Sequence, residues 1–443
     1  MCGNHDPNDK ISCGTNEHWN RRTLLKAAGV GALGWLTPLS SALATDAEKK
    51  GRHAKSLIVL WMKGAPSQLE TFDPHPGSEI AYGSTSRKTS VQGIEIGTGL
   101  EQTAEVMQDL SIVRSVVSKE GDHERAVYNI KTGFRPDPTL VHPAVGSVIC
   151  HQLNDRDQGK IDIPRHVSIF PGNQPGRGGY LGDQYDAFKM FDPKNPLPDL
   201  RKRVSDQRFD KRLHSLEFLE KADPFQRKNE KRSKYGDPNT LAALKMMSSE
   251  QLKAFDISEV PQALQEEFGN TPFGRGCLTA MRLVQAGVRC IEVTLSGWDT
   301  HINNHNLQAG QIEILDPALA ALIRNLKERD LLKDTVVVCG GEFGRTPTLN
   351  SAEGRDHWPH GFSMVMAGGG IRGGQVVGKT SANPKLDPKN RLQDLKNPKS
   401  VEDIHATILK SFGIDFEQEL DTPVGRPMIV SQGKVISELL QSS

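Results

Sequence analysis

The chain is poor in cysteine, in net charge and in long apolar runs, and each shortage excludes a class of protein. It has six cysteines in 443 residues: Cys2, Cys13, Cys150, Cys277, Cys290 and Cys339. None forms a CxxC pair or a zinc-finger spacing, so neither a disulfide framework nor a zinc ribbon is expected. The four that follow residue 44 read as small buried apolar side chains. Net charge is +1, and without residues 1–44 the chain carries 51 basic and 51 acidic residues. A neutral chain has no general electrostatic hold on nucleic acid or on an anionic membrane, so neither is expected as a partner. The uncharged run Ala27–Leu43 is Gly/Ala-rich and falls short of the roughly 20 strongly apolar residues that a span requires. No later segment qualifies, so the mature chain is expected to have no membrane span.

Familiar catalytic signatures are missing too. There is no Gly-x-Ser-x-Gly elbow and no HExxH. Gly368–Gly373 fits GxGxxG after a strand-like run, but Gln375–Thr380 continues as another strand. Without a helix N-terminus to hold a pyrophosphate, the glycines read as a hairpin turn.

The N-terminus carries a positive signal. Asn20-Arg21-Arg22-Thr23-Leu24-Leu25-Lys26 precedes the apolar run, which closes on Ala42-Leu43-Ala44. Paired arginines, a moderately apolar stretch and an A-x-A-like end are similar to a twin-arginine signal. Residues 1–44 are therefore expected to be a signal peptide that engages the twin-arginine export machinery. The mature protein is expected in the periplasm or outside the cell, folded before export.

The remaining length suits one large α/β domain with insertions, or two domains. Continuous apolar, β-branched runs predict buried strands at Lys55–Met62, Leu110–Val117, Pro164–Phe170, Val288–Leu295, Asp334–Cys339 and Phe362–Ala367. Helices are predicted at Asp122–Thr132 with Gly133 as the stop, and at Gly274–Ala286, Gln311–Arg329 and Val401–Phe412. Residues 200–235 are dense in charge and read as exposed helices, part of a helical insertion at about 200–260. Alternating strands and helices point to a mostly parallel sheet covered on both faces.

In such sheets ligands bind beyond the carboxyl ends of strands, and there this sequence repeatedly places carboxylates and imidazoles. After Val288–Leu295 come Asp299, His301 and His305; after Asp334–Cys339 come Glu342 and Arg345. Asp356 and His357 lie just before Phe362–Ala367, and Asp122-His123-Glu124 follows Leu110–Val117. Carboxylates with neutral imidazoles are the usual ligands of Zn²⁺ and similar divalent ions. Asp299 with His301 or His305, Glu342, and Asp356 with His357 are the candidate metal ligands. Lys63, at a strand end, and Arg345 are suited to oxyanions. Trp298 and Trp358 flank the clusters, either as core residues or as a surface for stacking a sugar ring.

In order, the motifs are the twin-arginine signal, KGAPSQLETFDPHPG, DHERAVYNIKTGFRP, GYLGDQYDAF, GWDTH, GGEFGRTP, GRDHWPHGFSMVMAGGGIRGG, DIHATILKSFGID and a late GRP. From about Lys55 to the C-terminus the chain resembles the DUF1501 family of secreted bacterial proteins, which is grouped by resemblance with the alkaline phosphatase and sulfatase superfamily. The resemblance implies an alkaline-phosphatase-like α/β/α sandwich over residues 45–443. It also implies a divalent-metal site cleaving phosphate or sulfate esters, with an anionic ester or sulfated polysaccharide as substrate or ligand. Asp299 and His357 match metal-ligand positions, with His301 or His305 as the imidazole partner of Asp299. Glu342 stands where the superfamily has an Asp-His pair, and Lys63 stands where it has an aspartate. His123 takes the place of the nucleophile, where it would be a ligand, a base or a phosphorylated group. No cysteine begins the Cys-x-Pro/Ala-x-Arg pattern that formylglycine requires, which argues against a standard sulfatase mechanism. Two readings follow: an exported metal-dependent hydrolase, or a noncatalytic member of the fold that binds an anionic polysaccharide or a secreted or surface partner. A metal-dependent oxidoreductase, the third reading, rests only on the export route.

Overall fold

The structure, a computed structural model, describes residues 53–153, 161–195, 197, 200, 202–222 and 238–441. The expected signal peptide and residues 223–237 of the charged stretch lie outside the described residues.

Among the described residues nine strands make the main sheet: β1 (Ser56–Lys63), β2 (Leu110–Val117), β3 (His166–Ile169), β4 (Phe188–Met190), β5 (Cys290–Ser296), β6 (Thr335–Gly340), β7 (His360–Ala367), β8 (Gln375–Val377) and β9 (Lys399–Ser400). Their order is β8-β2-β7-β6-β1-β5-β3-β4, with β9 also paired to β2. The principal helices are α1 (His123–Thr132), α2 (Val145–Gln152), α3 (Asp206–Ala222), α4 (Pro238–Met247), α5 (Pro272–Gln285), α6 (Asn304–Glu328) and α7 (Val401–Ser411). This is the α/β/α sandwich that the sequence implied. α3 falls in the stretch 200–235 read as exposed helices, and α4 follows it, inside the bounds of about 200–260 expected for the helical insertion.

The central strands are apolar on both faces because helices cover both. Successive residues of β1 alternate between two hydrophobic clusters, as the two-residue side-chain period of a strand requires. Ile58, Leu60 and Met62 pack with Leu278 of α5 and Leu319 and Leu322 of α6. Leu57 and Trp61 pack with Val127 of α1, Ile149 of α2 and Ile404 of α7. The four described cysteines are free and buried, as their spacing suggested.

Strand β7 is the exception that shapes the site. It pairs antiparallel with both β6 and β2, whereas β1 is parallel to β5 and β6. Its first residue, His360, therefore lies opposite Val117, the last residue of β2. Residues just before β7 reach the same sheet edge as residues just after β1, β2, β5 and β6.

Two local readings differ from the structure. Gly368–Gly370 do not form a hairpin. β2 already fills the free edge of β7, so the chain crosses the end of β2 and β8 pairs parallel to that strand's far edge. Helix α6 begins at Asn304, earlier than the predicted Gln311, because Asn303 turns the backbone at φ 43° and the polar residues after it are helical. His305 consequently sits on a helix and not in a loop.

Candidate metal centre

The first candidate ligand is placed by a helix cap. The Asp122 side chain accepts the backbone N–H groups of Glu124 and Arg125 at 3.1 and 3.2 Å, satisfying donors that the first turn of a helix leaves without partners. His123 is thereby fixed as the first residue of α1. Gly133 closes the helix in the left-handed region at φ 77°, the conformation expected of a glycine stop.

The turn after β1 supplies the floor. Gly64 has φ 110°, and a Cβ on it would lie 2.6 Å from the backbone nitrogen of Asp299. Glycine lets the β1 and β5 ends approach this closely. The Gly64 N–H donates to Glu342 Oε1 at 3.0 Å. The same oxygen lies 2.7 Å from His123 Nδ1.

Asp299 and His357 complete the cluster. His357 Nδ1 donates to the carbonyl of Gly121 at 2.8 Å, which leaves its Nε2 as the lone-pair nitrogen. That atom is 3.6 Å from Asp299 Oδ1, and His123 Nε2 is 3.2 Å from Asp299 Oδ2. One ligand atom each from His123, Asp299 and His357 lies within 4.8 Å of the others. In both histidines an outer acceptor holds Nδ1 and turns Nε2 inward, the usual arrangement around a bound metal.

Charge at the cluster has identifiable causes. The hydrogen bond that His123 donates to Glu342 raises the His123 pKa, burial opposes it, and Asp299 adds to the rise. Burial depresses the His357 pKa and favours its neutral form. For Asp299, burial pushes upward, but the Arg345 hydrogen bond and charge prevail and the net shift is down. The carboxylates that favour a proton on His123 would equally favour a divalent cation in its place.

The donor set fits such an ion. Two neutral-capable imidazoles and a carboxylate are a standard first-row divalent set. Glu342 Oε2 is also buried with no hydrogen-bond partner among the described residues, a costly condition that an ion would relieve.

The other residues singled out in the sequence have distinct placements. Arg345 is fully buried, and its guanidinium donates to the carbonyls of Gly64, Ala65 and Arg355 and to Asp299 Oδ1. With its donors so engaged, it orients Asp299 and the Gly64 turn. His301 lies between Asp356, 2.8 Å from Nδ1, and His357, 3.0 Å from Nε2, so Asp356 supports His301 from outside the cluster. His305 is directed elsewhere: its Nδ1 is 3.0 Å from Glu70 Oε1, and the two line a separate cavity. Lys63 lies on the wall of a cavity of about 340 Å³ with His123, Asp299 and Glu342, and its Nζ donates to Asn173 at 3.1 Å. Trp298 is fully buried in the core.

Sequence reasoning missed Asn173 and Gln174, which line this cavity, and Glu70. Asn173 and Gln174 sit in a Pro/Gly-rich loop after a short strand, and that position beyond a strand's carboxyl end was the available signal.

A family model described as a protein of unknown function, DUF1501, matches residues 54–440. No curated protein matches the chain. Similar solved structures include the lipoteichoic acid synthase LtaP from Listeria monocytogenes, at 11% identity and TM-score 0.40, covering 85% of this chain and 74% of that one. A protein of the alkaline phosphatase superfamily from Vibrio parahaemolyticus is similar at 10% identity and TM-score 0.38, covering 88% and 71%. The C-terminal periplasmic domain of EptC from Escherichia coli, a complex with Zn, is similar at 10% identity and TM-score 0.33, covering 72% and 74%. Among the described residues no helix is long and apolar enough to cross a membrane.

Proposed function

The chain belongs to the DUF1501 family, and from that premise we propose that it is an exported, metal-dependent hydrolase of a phosphate or sulfate ester. One observation carries the reading: the convergence of His123, Asp299 and His357 within 4.8 Å at the sheet edge. A divalent ion held there, Zn²⁺ or a similar one, supplies Lewis-acid polarisation of an ester oxygen and lowers the pKa of water. The protein's own groups do the rest. Glu342 and the Gly121 carbonyl orient the two imidazoles. Arg345 fixes the Asp299 carboxylate. Lys63 faces the same cavity and suits an ester oxyanion. His301, with a side chain 43% exposed and Asp356 at its Nδ1, is placed to move a proton at Nε2. The substrate is an anionic ester, a sulfated polysaccharide among the candidates, met in the periplasm or outside the cell after twin-arginine export.

A second reading, ligand binding without turnover, is favoured by His123. It occupies the position where the superfamily resemblance implies a nucleophile, yet both its nitrogens face carboxylates.

Metal content of the protein from Thr45 onward, purified without chelators, tests the first reading. We expect about one equivalent of divalent metal per chain, lost in Asp299→Ala and His357→Ala, and turnover of some phosphate or sulfate ester. Metal without turnover over a broad ester panel favours the second reading. No metal after loading with Zn, Mn, Fe or Ca ends the first.

A further inference from the structure

The cavity over the candidate metal centre does not stop there. It shares Glu124, Val127, Asn173 and Gln174 with a second cavity of about 420 Å³, and each volume is in the range of small-ligand sites. Helix α1 runs along both. His123, Val127 and Lys131 recur at four-residue spacing, so they share one helix face and span about 12 Å at 1.5 Å per residue.

The far wall is a fastened loop, residues 171–177. Glu292, buried in the middle of β5, accepts the Gly176 N–H at 3.2 Å and the Lys131 ammonium at 2.9 Å. Lys131 also donates to the Gln174 carbonyl at 2.7 Å. Lys63 holds Asn173 from the other side. A carboxylate and an ammonium buried to hold one loop in place are costly to desolvate, and they fix the backbone that carries Asn173 and Gln174 along the cavity wall. The Gln174 side-chain amide makes no hydrogen bond among the described residues.

The lining chemistry narrows the ligand. Lys131 pairs with Glu292 at 2.9 Å, and Arg125 shares the Glu120 carboxylate with Arg135, at 2.8 and 2.6 Å. Glu124 and Arg177 contribute one charge of each sign. The rest of the wall mixes apolar groups, among them Val127, Pro136, Val141 and Ala144, with Thr132, His142 and Tyr128, whose hydroxyl accepts the His142 backbone N–H at 2.7 Å. A partly apolar wall, a rim whose basic groups are mostly paired and two amides match a ring with an apolar face and hydroxyl edges. With Lys131 and Arg125 both engaged by carboxylates, the described lining holds no cluster of free basic groups to grip a second anionic group.

We propose that this second cavity is a sugar subsite, which takes a neutral hexose ring on the alcohol side of the ester while the acid side faces His123, Asp299 and His357. This assignment rests on the ester-hydrolase reading for its orientation, but the sugar contact itself is independent of metal and turnover.

The test is binding of neutral hexose disaccharides (lactose, cellobiose and maltose) followed by saturation-transfer NMR and calorimetry, with metal-loaded and EDTA-treated protein. Val141 is 48% exposed on the cavity wall, so Val141→Trp fills the space without disturbing the core; Gln174→Ala removes an amide. We expect the wild type to bind at least one disaccharide with or without metal. Binding should weaken about tenfold in both variants, with metal content unchanged. If the protein holds no metal and cleaves no ester, the hydrolase reading falls while this binding result stands. The subsite is overturned if no neutral disaccharide binds the wild type, if Val141→Trp binds as well as the wild type, or if a hexuronate disaccharide binds more tightly than the neutral ones.

Discussion

Glu342 Oε1 receives two groups at once, His123 Nδ1 at 2.7 Å and the Gly64 N–H at 3.0 Å. One buried carboxylate oxygen thus joins the first turn of α1 to the end of β1, and its partner oxygen is left without a hydrogen bond among the described residues. Replacing Glu342 with Gln preserves shape and removes charge. We expect metal affinity, measured by competition with a chromophoric chelator, to fall about 10–100-fold with the fold intact by circular dichroism. Unchanged affinity would remove Glu342 from the account.

Gly64 is required for two separable reasons, its φ of 110° and the 2.6 Å that would separate an added Cβ from the Asp299 nitrogen. Gly374 has φ 69° but only Val91 near its Cβ direction, at 3.6 Å. Gly374→Ala should therefore cost only the backbone term, about 1–2 kcal/mol, in urea unfolding. Gly64→Ala should cost more and should also displace Asp299, lowering metal affinity. Equal costs would mean that the close approach is unimportant.

The Glu70–Arg355 pair predicts a pH dependence. Burial alone would raise the Glu70 pKa, but the His305 hydrogen bond and the Arg355 charge prevail and bring it from 4.5 to about 2. A depressed carboxyl pKa contributes stability in full above its unfolded value, and that contribution is lost as pH falls through the folded value. Glu70→Gln should flatten the decline in stability between about pH 4.5 and 2. At neutral pH it should cost about 3–5 kcal/mol, because the fully buried Arg355 guanidinium loses its counter-ion. Urea titrations of both proteins across that interval decide the matter; parallel curves would refute it.

Asp122 serves the site only through its cap. Asp122→Ala should destabilise the protein by about 1 kcal/mol and weaken metal binding, since His123 is the next residue. Asp122→Asn, which keeps the acceptor, should restore both. Failure of Asn to rescue would point to a role for the charge.

The sheet was legible because its strands are buried on both faces and read as unbroken apolar runs; β2 begins and ends where the sequence placed it, at Leu110 and Val117. The antiparallel sense of β7 was not legible, because strand direction leaves no mark on apolar periodicity. Yet that direction brings His357 to the same edge as Asp299. Individual candidates separated for a similar reason. Asp299, His301 and His305 follow one strand, but Asn303 starts a helix that carries His305 toward Glu70. Arg345 looked like an oxyanion holder from its type and loop, whereas its burial against three carbonyls depends on how distant turns pack. The loop carrying Asn173 and Gln174 went unnoticed because its anchor, Glu292, is 118 residues away from Gln174 in sequence and sits inside a strand that otherwise reads as core.

The three inward-facing groups stand at positions 123, 299 and 357. No short segment holds two of them, so there is no nascent site during synthesis. Whatever they bind is captured only after the chain has been made as far as Ala367 and β7 has docked against β2 and β6. Loading is then a late step in the biogenesis of the protein, and withdrawal of the ligand should loosen the domain as a whole and not one loop of it.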